Sequence, residues 1–172
     1  MKSIKKLGLI LMLIVGAESC DKITNVKFSQ TSTSADFLLK SGIPADVYKD
    51  TIDLNYDLQN VVQSNGSSID RLKEIKLSAG KAVAQSGNFD NWDNLSVSIM
   101  ADGLPTQNMM SKIPVLTPTG LELEMDVNTT TDFLPYFKGD NIKLKVNGKL
   151  KKETTGDQII NFTLTSSIKA GL

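Results

Sequence analysis

Three observations predict an all-β fold, an antiparallel sandwich of about 6–8 short strands. Apolar and polar residues alternate with period two in five windows. Turn-forming clusters of Gly, Pro, Asn, Asp and Ser separate those windows. No window of twelve or more residues carries a 3.6-residue apolar stripe, so helices are expected only as short turns. One wet and one apolar face per strand means antiparallel pairing, because parallel strands are covered on both sides and read as continuous apolar runs. The alternative closure of such strands is a small β-barrel.

Composition sets the outer limits. The 172 residues are 40% apolar and 22% charged, with no formal net charge and no histidine. That length suits one domain. An even balance of charge gives no electrostatic footprint for nucleic acid. Without histidine, and with Cys20 as the single cysteine, there is no Ser-His-Asp triad, Cys–His nucleophile or Cys/His zinc site. The chain is expected to be non-enzymatic and to need no cofactor.

The N-terminal segment stands apart. "MKSIKK" places Lys2, Lys5 and Lys6 before an apolar run from Leu7 to Ala17. A basic start followed by about ten apolar residues is the pattern of a secretory signal. It is short of the roughly 20 residues that cross a bilayer; an uncleaved N-terminal anchor helix is the alternative. Ala17-Glu18-Ser19-Cys20 closes the run with a small residue directly before the cysteine. This segment resembles a bacterial lipoprotein signal, in the looser form of Bacteroidota lipoproteins; Ala17 and Glu18 stand where the stricter form has leucine and a small residue. The resemblance implies cleavage before Cys20 and acylation of that residue. It places the chain in a bacterial cell envelope, anchored by lipid, with the outer membrane as the expected site. Cleavage removes three lysines and one glutamate, leaving an excess of two acidic side chains, which gives no reason for the chain to lie electrostatically on an anionic membrane.

The expected organisation is therefore a signal over residues 1–19, a lipidated N-terminus and short tether over 20–30, and one sandwich domain over 31–172. Within the domain, "TIDLNYDL" sets Ile52, Leu54, Tyr56 and Leu58 against Asp53, Asn55 and Asp57. A weaker alternation passes through Ile75, Leu77 and Val83. Leu95, Val97 and Ile99 face away from Ser96 and Ser98; Leu121, Leu123, Met125 and Val127 face away from Glu122, Glu124 and Asp126. "IKLKV" and "INFTLTSSI" complete the set, with Asn147-Gly148 as a candidate tight hairpin. Short helical turns are expected over 58–62, 68–72 and 132–137. The stretches "SGNFDNWDNLSVSIMADGLP", "TTDFLPYFKGDNIKLKVNGKL" and "IINFTLTSSIKA" resemble a type of Bacteroidota envelope lipoprotein, which implies a β-sandwich and no particular activity.

Candidate contact residues lie in three loops. "FDNWDN" gathers Asp90 and Asp93 around Trp92, a weak candidate for Ca²⁺ because hard oxygen ligands suit that ion. The spacing lacks the glycine and distal glutamate of an EF-hand, and the plainer reading has Phe89 and Trp92 plugging the sandwich end. "FLPYFKGDN" offers Tyr136 as a stacking face, although the ten aromatics of the chain must also fill a core. Met109 and Met110, in a long connection, would make an adaptable contact surface or fold beneath the loop. The carboxylates of Asp53 and Asp57, and those of Glu122, Glu124 and Asp126, each fall on the solvated face of their own strand, where acids are expected to pair with Lys143 and Lys145 across neighbouring strands. Two functions follow: an accessory or structural partner of a larger membrane assembly, or a glycan- or nutrient-binding module using the loop aromatics.

Overall fold

The computed structural model describes residues 25–54 and 56–171. Ten strands, β1 Asn25–Thr33, β2 Phe37–Leu39, β3 Val47–Asp53, β4 Leu72–Ala84, β5 Trp92–Met100, β6 Gln107–Lys112, β7 Glu122–Glu124, β8 Asp126–Val127, β9 Lys143–Leu150 and β10 Gln158–Gly171, exceed the expected six to eight. They form two antiparallel sheets, one ordered β1-β10-β4-β7 with β2 also on β10, the other β3-β9-β5-β6-β8. Neither closes on itself, so the sandwich and not the barrel is the architecture. The core between the sheets includes Phe37, Ile75, Leu95, Val97, Leu144, Phe162 and Ile168, all fully buried.

Strand β10 is the long axis of the first sheet. Ile160, Phe162, Leu164, Ile168 and Ala170 point into the core at every second position, as a half-buried strand requires. Along one side it pairs first with β1, Gly171 opposite Asn25 and Thr163 opposite Thr33, then with β2, Gln158 opposite Leu39. Ser34 bridges that join. Its N–H donates to the Phe162 carbonyl at 2.9 Å, and its hydroxyl accepts the Phe162 N–H at 3.0 Å. The strand thus begins at Asn25, and residues 25–30, expected as tether, belong to the sheet.

Alternation in β4 is weak because bulges reset it. Lys73 and Ser78 are skipped in its pairing with β10, so Leu72 is followed inward by Ile75 and Leu77, then by Gly80, Ala82 and Ala84. A bulged residue turns the following side chains to the other face. Val83 is consequently outward, contrary to its expected place beside Ile75 and Leu77.

Two other windows break where the alternation suggested continuity. "TIDLNYDL" ends as strand at Asp53; Asp57 then accepts the Asn60 N–H at 3.0 Å and caps helix α1, Leu58–Ser64, which buries Leu58 and Val62. "LELEMDV" divides at Met125, whose N–H bonds the Gly80 carbonyl, with β7 joining the first sheet and β8 the second. A 3-10 turn at Ile69–Arg71 and helix α2, Leu134–Phe137, occupy the other expected helical turns.

Asn147-Gly148 is not a hairpin. It lies inside β9, and Gly148 is there for space: a Cβ would sit 2.6 Å from Cε3 of Trp92 and 2.7 Å from the Asn94 carbonyl oxygen. Gly80 serves the same end between the sheets, where a Cβ would stand 2.7 Å from the Met110 sulfur.

Candidate functional site

Cys20 lies outside the described residues. The loop candidates can be followed atom by atom: Tyr136, in α2, lies towards the end where β4 begins, whereas those of "FDNWDN" lie at the sandwich end where β10 begins and β4 ends. Phe89 and Trp92 are fully buried there, so Trp92 is a core plug and presents no stacking face. Its indole N–H has no hydrogen-bond partner among the described residues. Asp90 clamps a neighbouring loop. Its Oδ1 accepts the Thr119 N–H at 2.7 Å and the Thr119 hydroxyl at 2.9 Å, while Thr119 Oγ1 accepts the Phe89 N–H at 2.7 Å. Asp93 contributes its carbonyl to the Val115 N–H at 2.9 Å. Among the described residues, no three Asp, Glu, Cys or His side chains are arranged to hold a metal ion. Asp90 through its carboxylate and Asp93 through its backbone carbonyl hold the 113–121 connection at Thr119 and Val115.

Tyr136 is only 6% exposed, and its hydroxyl donates to the Pro105 carbonyl at 2.7 Å. Its ring contacts Phe133 at a 6.2 Å centroid distance, with Phe133 and Phe137 also buried. Met109 and Met110 are not in a loop. They sit in β6, where the register against β5 skips Met109, and both are fully buried. All four proposed contact residues therefore face the core: aromatics and methionines are the largest apolar volumes available to a chain with so few of them.

The carboxylates do face lysines across neighbouring strands, and Lys143 stands opposite Asp53, but the lysines beside Glu122 and Asp126 are others. Glu122 pairs with Lys81 at 2.8 Å on the first sheet, and Asp126 with Lys112 at 3.6 Å on the second. Lys145 instead lies between Thr51 and Ser98, and Lys143 opposite Asp53. Splitting "LELEMDV" between sheets separates Glu122 and Glu124 from the lysines of β9.

A polar depression of about 240 Å³ opens beside the clamp, lined by residues that include Asn88, Asn91, Thr154, Asp157 and Gln158. These groups bind one another's backbones. Asp157 accepts the Ser41 N–H at 2.8 Å and Lys40 Nζ at 3.0 Å, which hold its carboxyl below the usual range. Thr154 accepts from the Ile43 N–H and donates to the Lys40 carbonyl; Gln158 donates to the Asn88 carbonyl. The arrangement ties the loops together.

What this end does expose is apolar. Leu38, Val47, Ile113, Leu116, Leu121 and Ile159 are the exposed large hydrophobics of the described residues, and register puts all six at the end away from Asn25. Leu38 is opposite Ile159, Val47 opposite Lys149, and Leu121 accepts the Ala84 N–H. Ile113 and Leu116 are most exposed, at 68% and 73%, in the connection that Asp90 and Asp93 hold in place. Exposed apolar side chains gathered at one end are a candidate contact surface. Its sequence signal, "IPVLTPTGL", is an apolar run without alternation among prolines.

No protein-family model and no curated protein matches the chain. Among solved structures, a chain of Turnip yellow mosaic virus is similar at 12% identity and a TM-score of 0.36, covering 87% of this chain and 96% of that one. A chain of Desmodium yellow mottle tymovirus is similar at 12% identity and a TM-score of 0.30, covering 86% and 88%. At these scores the likeness assigns neither fold nor function.

Proposed function

We propose that this protein is a lipid-anchored, non-enzymatic component of a bacterial envelope, acting as accessory or structural partner of a larger membrane assembly. The observation that carries the reading is the polarity of the sandwich. The chain enters at Asn25, five residues after Cys20, while the exposed apolar residues lie at the opposite end. Fourteen residues of β10 separate the two ends, about 43 Å at 3.3 Å per residue. An anchor at one end leaves the apolar loop free for a protein partner. The glycan-binding alternative loses its stacking faces, since Trp92 and Tyr136 are buried.

Gentle detergent extraction of tagged full-length protein from its native membranes, with mass analysis of the Cys20 peptide, tests both halves. Acylated Cys20 and a stoichiometric partner lost on Ile113→Ser with Leu116→Ser are expected. An unmodified Cys20 on protein recovered from the soluble fraction overturns the anchor. A partner retained by that double variant overturns the docking loop.

A further inference from the structure

The N-terminal end of the first sheet carries a charge cluster that net charge conceals. Register places Lys27 of β1 opposite Lys169 of β10, and Lys169 opposite Glu74 of β4. Lys76 Nζ lies 2.7 Å from Glu74 Oε1. From the bulge in β4, Lys73 passes the edge of Gly171, and its Nζ meets Asn25 Oδ1 at 2.5 Å. Three lysines, Lys27, Lys76 and Lys169, thus surround one glutamate on the outer face of three adjacent strands, and Lys73 extends the cluster to Asn25. The hydrogen bond from Lys76 holds the Glu74 carboxyl below its ordinary range, and Lys169 and Lys27 add to the effect. Arg71, exposed in the adjoining 3-10 turn, adds a fifth cation, and Asp70 beside it is the exposed acid of that turn. Asp132, the nearest acid from α2's side, accepts the Ile75 N–H at 2.9 Å.

We propose that this cluster is a docking surface for an anionic phospholipid bilayer, which seats the N-terminal end of the first sheet on the membrane near the chain's point of attachment. The proposal rests on the lipid-anchored reading above and gives the anchored domain an orientation. Two observations select a bilayer as the occupant. The cluster is cationic in a chain that is acidic once residues 1–19 are removed, so its sign suits phosphate headgroups and not the rest of the molecule. It also adjoins Asn25, and the five-residue step from Cys20 spans at most roughly 17 Å. An acylated Cys20 would hold the lysines close enough to headgroups for attraction over a screening length of about 8–10 Å. Each lysine near such a surface strengthens the contact about fivefold at low salt.

The test uses the full-length protein added to preformed vesicles of phosphatidylcholine, with or without phosphatidylglycerol, and amine-reactive labelling of individual lysines. Lys143, Lys145 and Lys149, at alternating positions along β9 in the other sheet, serve as internal controls. Labelling of Lys27, Lys73, Lys76 and Lys169 is expected to slow about fivefold or more on anionic vesicles at low salt and to recover at high salt. The β9 lysines should be unaffected, and Lys27→Gln with Lys169→Gln should restore labelling of Lys73 and Lys76 without moving the melting temperature. Equal labelling on both vesicle types, or equal protection of both sheets, overturns the proposal. Mass analysis of Cys20 in the same sample reads the anchor separately. A chain with unmodified Cys20 that still sediments only with anionic vesicles would keep the docking surface and sink the anchor.

Discussion

The two ends of this sandwich are built on opposite principles. At the N-terminal end, charge is exposed on flat strand faces, and the lysines of β1, β4 and β10 come together through register. At the far end, one large buried ring organises everything around it: Trp92 fills the space left by Gly148, and the Asp90–Thr119 clamp closes above it. The same clamp, with the Asp93–Val115 bond, holds the connection in which Ile113 and Leu116 are exposed. A rigid end can hold apolar side chains in water because the surrounding backbone is already bonded. The difference teaches that burial of a conspicuous residue and exposure of an inconspicuous one can have a single cause.

The largest effect that would test this contrast is at Trp92. Trp92→Ala should cost about 3–5 kcal/mol, as truncation of a buried aromatic does, read by urea unfolding followed with circular dichroism. A loss below about 1 kcal/mol would mean that the far end does not depend on the ring. Gly148→Ala should cost about 1–3 kcal/mol by overpacking. The cost should shrink when Trp92 is replaced by leucine in the same chain, a coupling that neighbours show and distant sites do not. Additive costs would dissociate the glycine from the ring.

The smallest effect belongs to Tyr56, whose ring lies 4.5 Å from that of Phe137 and whose hydroxyl is buried with no partner among the described residues. Removing an unsatisfied buried hydroxyl costs little, so Tyr56→Phe should change stability by less than about 0.5 kcal/mol, or raise it. Burial pushes the Tyr56 phenol from 10.0 up to about 12. The folded state therefore binds this proton more tightly than the unfolded state does. Its contribution is complete below pH 10.0 and declines as pH rises towards about 12. The phenylalanine variant should lose that part of the alkaline destabilisation; an unchanged alkaline limb would assign it to other groups.

Much of the fold was legible in the chain. Alternation in β5, β9 and β10 marked their core faces correctly, because those strands each keep one side wet. Short helical turns were anticipated at all three places. Legibility failed where local and tertiary demands diverge. Asn147-Gly148 has turn chemistry, yet its glycine answers to a ring from the neighbouring strand. Ser78 and Met109 shift the phase of β4 and β6, and a bulge leaves no mark in period-two counting. At the candidate site, Trp92, Tyr136, Met109 and Met110 were chosen for chemistry they could offer if exposed. They are the residues a small core needs most.

By itself the sequence determined the all-β class of fold, since one-sided alternation means antiparallel sheet, and it excluded histidine-dependent sites by composition. It also supplied the pattern ending in Cys20 on which the proposed anchor rests. Tertiary structure alone decided which aromatics are covered and which loop residues are not. It also decided that Lys27, Lys73, Lys76 and Lys169, scattered over 143 positions of chain, share one surface. The reason is that burial and charge density are properties of register and packing between segments far apart in the chain, and no local pattern encodes them.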